Sequence, residues 1–351
     1  TDHGVMYGVI DFYKAAKKRG IKPIIGCEIY FTPDSTLSRD KRPELYHMIL
    51  LAKDNRGYRN LMRIVSDAAT EGFYYKPRVT LEALRKYHDG ILATSACIAG
   101  VIPKSIDRGE YEIAKEWAQT FIDIFGKDDF YIELQNQGPE IVTDNGISQP
   151  RLNDALCKLA GEMGLKVVGT NDLHYLRQED AYTQDLMLCI GMGKFVSDEN
   201  RMKFSNDQFY LKSPEEMAEA LREHPECLAT TLEIADKCED YKLTHAPLMP
   251  NFPPPEDFPI ALGELRESFV KKIDDEEMLA KIGACATVPE LEELVAGDKE
   301  LSDRLMVAKQ YCYLKDLTYK GAHMRYGDVL DEKTEERIKY ELSTIEWMGF
   351  P

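Results

Sequence analysis

Short apolar runs alternate with helical patterns from the start of the chain to about residue 240, and no other feature constrains the fold as strongly. Each run is long enough for one strand, and helical periodicity separates most of them. This alternation predicts parallel strands covered by helices, in a closed barrel or an open doubly wound sheet, and the pattern alone does not decide between the two. The runs lie at residues 23–30, 48–52, 90–96, 130–134 and 166–170.

The character of the sequence changes near residue 246, where prolines become too dense for a helix. Residues 246–260 are therefore predicted to be a semi-rigid linker that follows a domain at 1–245. Residues 261–310 are acidic and helical in pattern, and nothing in them indicates a role. The sequence pattern of residues 311–351 predicts two further helices.

The charge balance limits what the chain binds. It has 44 Lys and Arg residues against 61 Asp and Glu residues, a formal net charge of −17. Because duplex binding depends on cations that neutralise phosphates, so acidic a chain is not expected to hold nucleic acid unaided.

No apolar run approaches the roughly 18–20 residues that span a bilayer. No leader is visible either, so a cytoplasmic location without membrane contact is expected.

The eight cysteines form no CxxC pair, which argues against zinc ribbons and thioredoxin-like redox chemistry. A reduced cytosolic protein fits this distribution. Two of the cysteines, Cys157 and Cys189, lie within apolar helical patterns and are interpreted as small core residues.

Metal-ligating side chains follow the predicted strands, at the points where functional groups of parallel α/β folds collect. The spacing of two between Asp172 and His174 would place both side chains on one face of an extended segment. Carboxylate, imidazole and thiolate groups together suit a divalent ion. The residues at these positions are His3, Glu28, Cys97, Asp172 and His174.

Five short segments resemble, in order, the successive metal-binding motifs of the PHP (polymerase and histidinol phosphatase) family: Thr1-Asp2-His3-Gly4, Gly26-Cys27-Glu28, Tyr46-His47-Met48, Ser95-Ala96-Cys97 and Asn171-Asp172-Leu173-His174. The resemblance implies a distorted (βα)7 barrel that binds two or three divalent ions, either Zn, Mn or Mg. It implies six ligands, His3, Glu28, His47, Cys97, Asp172 and His174. Of these, Glu28, Asp172 and His174 are expected to be catalytic.

His47 fits the argument from strand ends worst, because it precedes its predicted strand, and an ordinary polar residue at a strand start is the alternative. The remaining histidines match no motif of the family and are interpreted as surface or core residues; they are His88, His224, His245 and His323.

Further segments resemble the PHP domain of bacterial DNA polymerase III alpha subunits, and residues 340–350 resemble the opening of the polymerase palm. This resemblance implies DNA-templated DNA synthesis by the parent protein. It implies as partners the rest of the polymerase chain, primer–template DNA, the sliding clamp and a separate proofreading exonuclease. The segments lie at residues 50–54, 57–61, 71–78, 131–136 and 209–213.

Two features depart from the family pattern. The chain opens inside the second motif, so the first, an N-terminal strand ending in His-x-His, is expected to be absent. Residues 259–310 exceed the short connection usual in the family. The acidic pair that binds the polymerase metals would lie beyond Pro351, so this chain is predicted to lack the polymerase active site.

For the metal site the resemblance implies phosphodiester hydrolysis, with a 3′ terminal nucleotide as substrate in 3′–5′ proofreading. One alternative is a non-catalytic module, in which metal ions only stabilise a scaffold for the polymerase. A second alternative is a stand-alone phosphatase of the histidinol phosphatase kind, which the palm-like ending at residues 340–350 disfavours.

One basic and aromatic cluster is a candidate contact for single-stranded nucleic acid, because aromatic rings stack on bases while cations meet phosphates. Its members are Tyr74, Tyr75, Lys76 and Arg78. The alternative is a loop whose tyrosines pack on the barrel, and that alternative is favoured.

Overall fold

The computed structural model describes residues 1–248, 250–271 and 273–350, and the chain divides into two compact units, Thr1–His245 and Ala246–Pro351. Three positions lie outside the described residues, one each in the predicted linker, the acidic helical segment and the final segment; they are Met249, Lys272 and Pro351. None of the described helices is both long and apolar enough to cross a membrane.

A mixed sheet of seven strands forms the centre of the first unit. Hydrogen bonding orders six of them β1-β2-β3-β5-β6-β7, and β4 pairs with β2. The pairings are parallel except for those of β3, which runs antiparallel to β2 and β5. The strands are β1 (Asp2–His3), β2 (Gly26–Thr32), β3 (Tyr46–Ala52), β4 (Arg78–Thr80), β5 (Ile91–Thr94), β6 (Phe130–Gln135) and β7 (Lys166–Thr170).

The predicted alternation of strand and helix breaks between β2 and β3, because residues 33–45 contain no helix. Parallel neighbours need a long crossover, usually a helix, whereas a loop can return the chain directly into an antiparallel pair. The register sets Tyr30 opposite His47 and Glu28 opposite Ile49. The start of β3 therefore lies at the same end of the sheet as the last residues of β1 and β5.

Helices cover this sheet with their apolar faces. In α2, Leu61, Ile64 and Ala68 recur at helical spacing and are buried in the main core beside Leu50 of β3. The helices of this unit are α1 (Val9–Lys18), α2 (Asn55–Thr70), α3 (Leu81–Tyr87), α4 (Val101–Asp107), α5 (Tyr111–Phe125), α6 (Gln149–Met163), α7 (Ala181–Met192), α8 (Pro214–Ala220) and α9 (Glu226–Lys237). This parallel-dominated α/β architecture confirms the predicted fold class.

The second unit contains only helices among its described residues. They are α10 (Leu262–Val270), α11 (Glu276–Ala284), α12 (Val288–Val295), α13 (Lys299–Tyr326) and α14 (Glu332–Met348). Side chains from α10 to α13 share one apolar core that includes Leu265, Phe269, Ile282, Leu291 and Leu305. The acidic segment therefore folds as a small helical bundle around its own core.

Candidate metal centre

Glu28 is the centre of a cluster of ligand groups. The sequence pattern placed Glu28 at the end of a strand. In the structure it lies inside β2, because that strand begins only at Gly26. Its side chain is 6% exposed, and Oε1 lies 2.5 Å from Nδ1 of His47 and 3.4 Å from Nε2 of His3. The ligand atoms of these three residues all lie within 4.8 Å of one another, close enough to hold one cation.

The antiparallel course of β3 explains why His47 belongs to this cluster although it stands near the start of its strand. His47 is opposite Tyr30, and Glu28 is two residues before Tyr30 on the same face of β2. Side chains that are diagonal across a strand pair remain within reach when they are long. The strand-end argument failed for His47 because it assumed that every strand runs in the same direction.

Cys97 joins the cluster from the far side of β3. It follows β5, whose end pairs with Ile49, and its Sγ lies 3.6 Å from Nδ1 of His47. Ala96, just before it, has a φ of 58°, in the left-handed region that costs a non-glycine residue about 1–3 kcal/mol. This turn directs the thiol back toward His47 instead of continuing the strand.

Asp172 and His174 reach the site by a different backbone path from the one predicted. The segment is not extended, because Asp172 has a φ of 49°. Nδ1 of His174 lies 2.7 Å from the backbone oxygen of Asp172. Since a carbonyl oxygen only accepts, Nδ1 carries the proton and donates it, which leaves Nε2 free to bind a metal. Phe204 and Phe209 pack against the ring and fix its orientation.

The sheet is curved strongly enough to bring its two edges together around one cavity. The ring centroids of His3, at the end of β1, and His174, beyond β7, are 5.9 Å apart. The cavity has a volume of about 410 Å³, and its lining includes His3, Glu28, Cys97 and Asp172. The fold thus gathers all six predicted ligands at one end of the sheet.

Glu133 lines the same cavity, and sequence reasoning missed it as a site residue. It is buried in β6 and accepts hydrogen bonds from the hydroxyl groups of Thr94 and Thr170 and from the amide of Gln135. Burial raises the pKa of its carboxyl group, although these hydrogen bonds oppose the shift. The available signal was a single acidic residue inside an otherwise apolar strand.

The electrostatics of the cluster depend on how each carboxyl group is paired. Burial alone would raise the pKa of Glu28, but hydrogen bonds from His3 and His47 outweigh it and lower the pKa to about 2. The pKa of Asp172 is raised, first by burial and then by repulsion from Glu28. The pKa of the Cys97 thiol is also raised by burial, and nearby carboxylates add to that effect.

These observations fit a divalent metal centre. Burial and mutual repulsion disfavour the negative forms of Asp172 and Cys97, and a bound cation would reverse both effects. Three imidazoles, two carboxylates and a thiol form a mixed ligand set of the kind that divalent transition metals accept. Glu133 lines the same cavity.

The predicted nucleic-acid cluster divides into two parts. Arg78 is 1% exposed, and its guanidinium donates to the backbone oxygens of Gly72, Leu37 and Ser38, so it is a structural residue and the predicted contact was wrong. The ammonium of Lys76 instead lies 5.0 Å from the centre of the Tyr30 ring.

That tyrosine ring is itself part of the site's surroundings. The Tyr30 ring meets the His47 ring edge-on, with centroids 5.4 Å apart. Lys76 therefore lies close to the cluster of ligand groups. Tyr75 is 65% exposed, and its ring packs against that of Tyr74 at 4.6 Å. The loop therefore presents the cation of Lys76 and the accessible ring of Tyr75.

Comparison with known proteins agrees with this fold. Residues 1–137 match the PHP domain family. The chain therefore contains a PHP domain.

Along its whole length the chain also matches a segment of bacterial DNA polymerase III alpha subunits. It is 39% identical to the DNA polymerase III subunit alpha of Borreliella burgdorferi over 100% of this chain and 26% of that protein. The corresponding values are 41%, 100% and 25% for Treponema pallidum, and 35%, 100% and 29% for Thermus aquaticus. The chain thus spans about a quarter of the length of these relatives.

Proposed function

We propose that the first unit is a metal-dependent phosphoesterase that removes the 3′ terminal nucleotide of DNA, as a 3′–5′ proofreading exonuclease within a bacterial replicative DNA polymerase. The observation that carries this proposal is the gathering of six ligand groups at one end of the sheet, four of which line a single cavity. They are His3, Glu28, His47, Cys97, Asp172 and His174.

These residues would hold two or three divalent ions, of Zn, Mn or Mg. When bound, such ions would lower the pKa of a water ligand and neutralise charge that develops on a phosphodiester. Glu28 holds the imidazoles of His3 and His47 in place through its Oε1 atom. The carbonyl of Asp172 fixes the tautomer of His174, which leaves Nε2 free to bind a metal.

The surroundings of the cluster support a nucleic acid end as substrate. The ammonium of Lys76 lies beside the site and can meet a phosphate oxygen of the strand that enters it. The exposed ring of Tyr75 offers a face on which a base can stack. Arg78 does not take part, since its guanidinium is committed to backbone oxygens.

For the parent protein we propose DNA-templated DNA synthesis, with primer–template DNA, the sliding clamp and a separate exonuclease as partners. The resemblance of the whole chain to alpha subunits supports this assignment. The formal net charge of −17 fits a segment whose DNA is held mainly by other parts of a larger assembly.

The same charge favours a second candidate, a metal-stabilised scaffold without hydrolysis, because an acidic surface repels the polyanion that an exonuclease must admit. The two functions differ in one observable. A scaffold melts at a lower temperature when its metal is removed but releases no nucleotide, whereas the exonuclease loses both stability and nucleotide release.

The experiment compares wild type with Asp172→Ala and His174→Ala, measuring bound metal by elemental analysis and nucleotide release from the 3′ end of a single-stranded oligonucleotide. We expect both variants to lose metal and to slow release by more than about 100-fold, because loss of a ligand exceeds the usual effect of losing a supporting residue. Asp303→Ala, an exposed carboxylate of α13, is the matched control and should change neither quantity. Unchanged metal content in both variants would remove these residues from the site.

A further inference from the structure

A second cluster of ligand groups lies in the helical layer of the first unit. Cys157 belongs to α6, His224 precedes α9, and Glu226 is the first residue of α9. Sγ of Cys157 lies 3.3 Å from Nδ1 of His224, and Oε1 of Glu226 lies 3.9 Å from the same nitrogen. The three ligand atoms all lie within 4.8 Å of one another.

The local sequence fixes this arrangement. The backbone N–H of His224 donates to the oxygen of Leu221, and the oxygen of His224 accepts from the N–H of Cys227, so the connection into α9 is held at both sides of the histidine. Cys227 is fully buried and packs against Gly169 of β7. The position of His224 is therefore set by the packing of α9 on the sheet.

The other ring nitrogen of His224 supplies an independent observation. Nε2 is buried and has no hydrogen-bond partner within the described part of the chain. The nearest carboxylate is that of Asp154, whose Oδ1 lies 3.6 Å away, and Asp154 stands three residues before Cys157 on the same face of α6. Metal-binding histidines usually direct their second nitrogen at a carboxylate, and this ring is oriented in that way.

We propose that Cys157, His224 and Glu226 bind a Zn²⁺ ion that fastens α6 to the start of α9, with Asp154 orienting the histidine. Thiolate, imidazole and carboxylate are the groups that zinc prefers, and the separation of 3.3 Å between Sγ and Nδ1 is close to the roughly 3.6 Å that tetrahedral geometry gives for one sulfur and one nitrogen ligand. The carboxylate of Glu226, 3.9 Å from the same nitrogen, is exposed and would move closer on binding. Binding replaces the thiol proton of Cys157, which passes to solvent. The sequence interpretation of Cys157 as a core residue and of His224 as unrelated to any motif missed this pairing, because the two residues approach only in the fold.

This site is independent of the proposed nuclease centre, since the two share no residue. Both α6 and α9 pack on β7, the strand that leads to Asp172 and His174. A metal that fastens these helices would therefore stabilise the support of that strand without supplying a ligand to the hydrolytic site.

The test uses Co²⁺ as a spectroscopic replacement for Zn²⁺, because a thiolate bound to Co²⁺ gives a charge-transfer band in the near ultraviolet. Cys97→Ser first removes the thiolate of the proposed nuclease centre. In this background we expect the band to persist, with an intensity that corresponds to about one thiolate-bound Co²⁺ per chain. Adding Cys157→Ser should abolish the band. Cys285→Ser, which alters a partly exposed cysteine of the second unit, is the matched control and should leave the band unchanged.

Two further measurements use the otherwise wild-type protein, so the result does not depend on the Cys97→Ser background. Cys157→Ser should lower bound Zn²⁺ by about one equivalent per chain in elemental analysis. Asp154→Asn should weaken Zn²⁺ binding by about 10–100-fold while leaving the Co²⁺ band in place. A band that is absent after Cys97→Ser, or that survives Cys157→Ser, would overturn the proposal, as would equal Zn²⁺ content in wild type and Cys157→Ser.

Discussion

The two units differ in how they use the backbone to position polar groups. In the first, strand ends bring His3 and His174 to a ring separation of 5.9 Å although they belong to opposite edges of the sheet. In the second, many charged side chains pair with a residue of their own helix. Lys281 pairs with Glu277 in α11, and Arg304 pairs with Glu300 in α13. Both units have apolar cores, but among the residues that the structure describes only the first unit directs unlike ligand groups toward one cavity.

This difference follows from the geometry of the elements. Strand ends at one edge of a curved sheet converge, so residues far apart in sequence become neighbours. Helices in a bundle pack through their apolar stripes, which leaves charged groups on the outer faces where water and adjacent turns satisfy them. The acidic character of the second unit therefore indicates a solvated surface, whereas acidic residues in the strands of the first indicate chemistry.

The prediction with the largest expected effect compares a leucine-to-alanine substitution in the core of each unit. Leu50→Ala in β3 and Leu265→Ala in α10 both remove a fully buried side chain and should each lower the free energy of unfolding by about 2–5 kcal/mol. Only Leu50→Ala should also reduce bound metal, because β3 carries His47. Denaturant titration and elemental analysis of both variants check this, and metal loss in Leu265→Ala would remove the distinction between the units.

A somewhat smaller effect distinguishes two nearby cations, Lys76 in the loop before β4 and Arg78, the first residue of β4. Arg78→Ala leaves three backbone oxygens without their donor and should lower the free energy of unfolding by about 3 kcal/mol. Lys76→Ala should leave stability nearly unchanged and raise the KM for an oligonucleotide. The opposite pattern, with Arg78→Ala stable and weak in DNA binding, would restore Arg78 as a nucleic-acid contact.

The smallest effect concerns Glu133. Because burial raises its pKa in the folded state, the folded protein binds a proton at a higher pH than the unfolded chain does. The free energy of unfolding of the metal-free protein should therefore rise as pH falls through that folded-state value.

Glu133→Gln removes this titration and retains hydrogen-bonding groups for its three partners. It should raise the free energy of unfolding at neutral pH by about 1 kcal/mol, and the advantage should vanish on acidification. Denaturant titration across the pH range checks the sign. A variant that loses stability equally at every pH would show that the charged form of Glu133 is the one the fold requires.

Much of the fold was predictable because it depends on local periodicity. The strands at residues 48–52 and 166–170 and the helices of the second unit were visible as patterns of apolar residues, although the structure extends the first strand back to Tyr46. The antiparallel course of β3 was not visible, because direction depends on the connection across residues 33–45 and not on the strand itself. Glu28 was placed at a strand end, but it lies inside β2 because that strand begins only at Gly26 and continues to Thr32.

For the site, residue types and order predicted six ligands through the family resemblance, but they did not predict how the backbone presents these residues. The left-handed conformations at Ala96 and Asp172 occur in residues that rarely adopt them, so no sequence signal announced either turn. Glu133 and the pair Cys157 and His224 were missed for a related reason. Their significance depends on partners from other elements, which only the assembled fold supplies.

The central claim is that one metal centre formed from strand-end and strand residues hydrolyses a phosphodiester. Its most direct test measures metal content and nucleotide release on the same samples of wild type and Glu28→Gln, with metal removed and then restored. Gln keeps the shape of Glu28 but lacks the charge that binds His3, His47 and a cation together. We predict that restored metal revives release in wild type, and that metal binding and release both fall by at least about 10-fold in Glu28→Gln. Full metal binding and full release in Glu28→Gln would contradict the account.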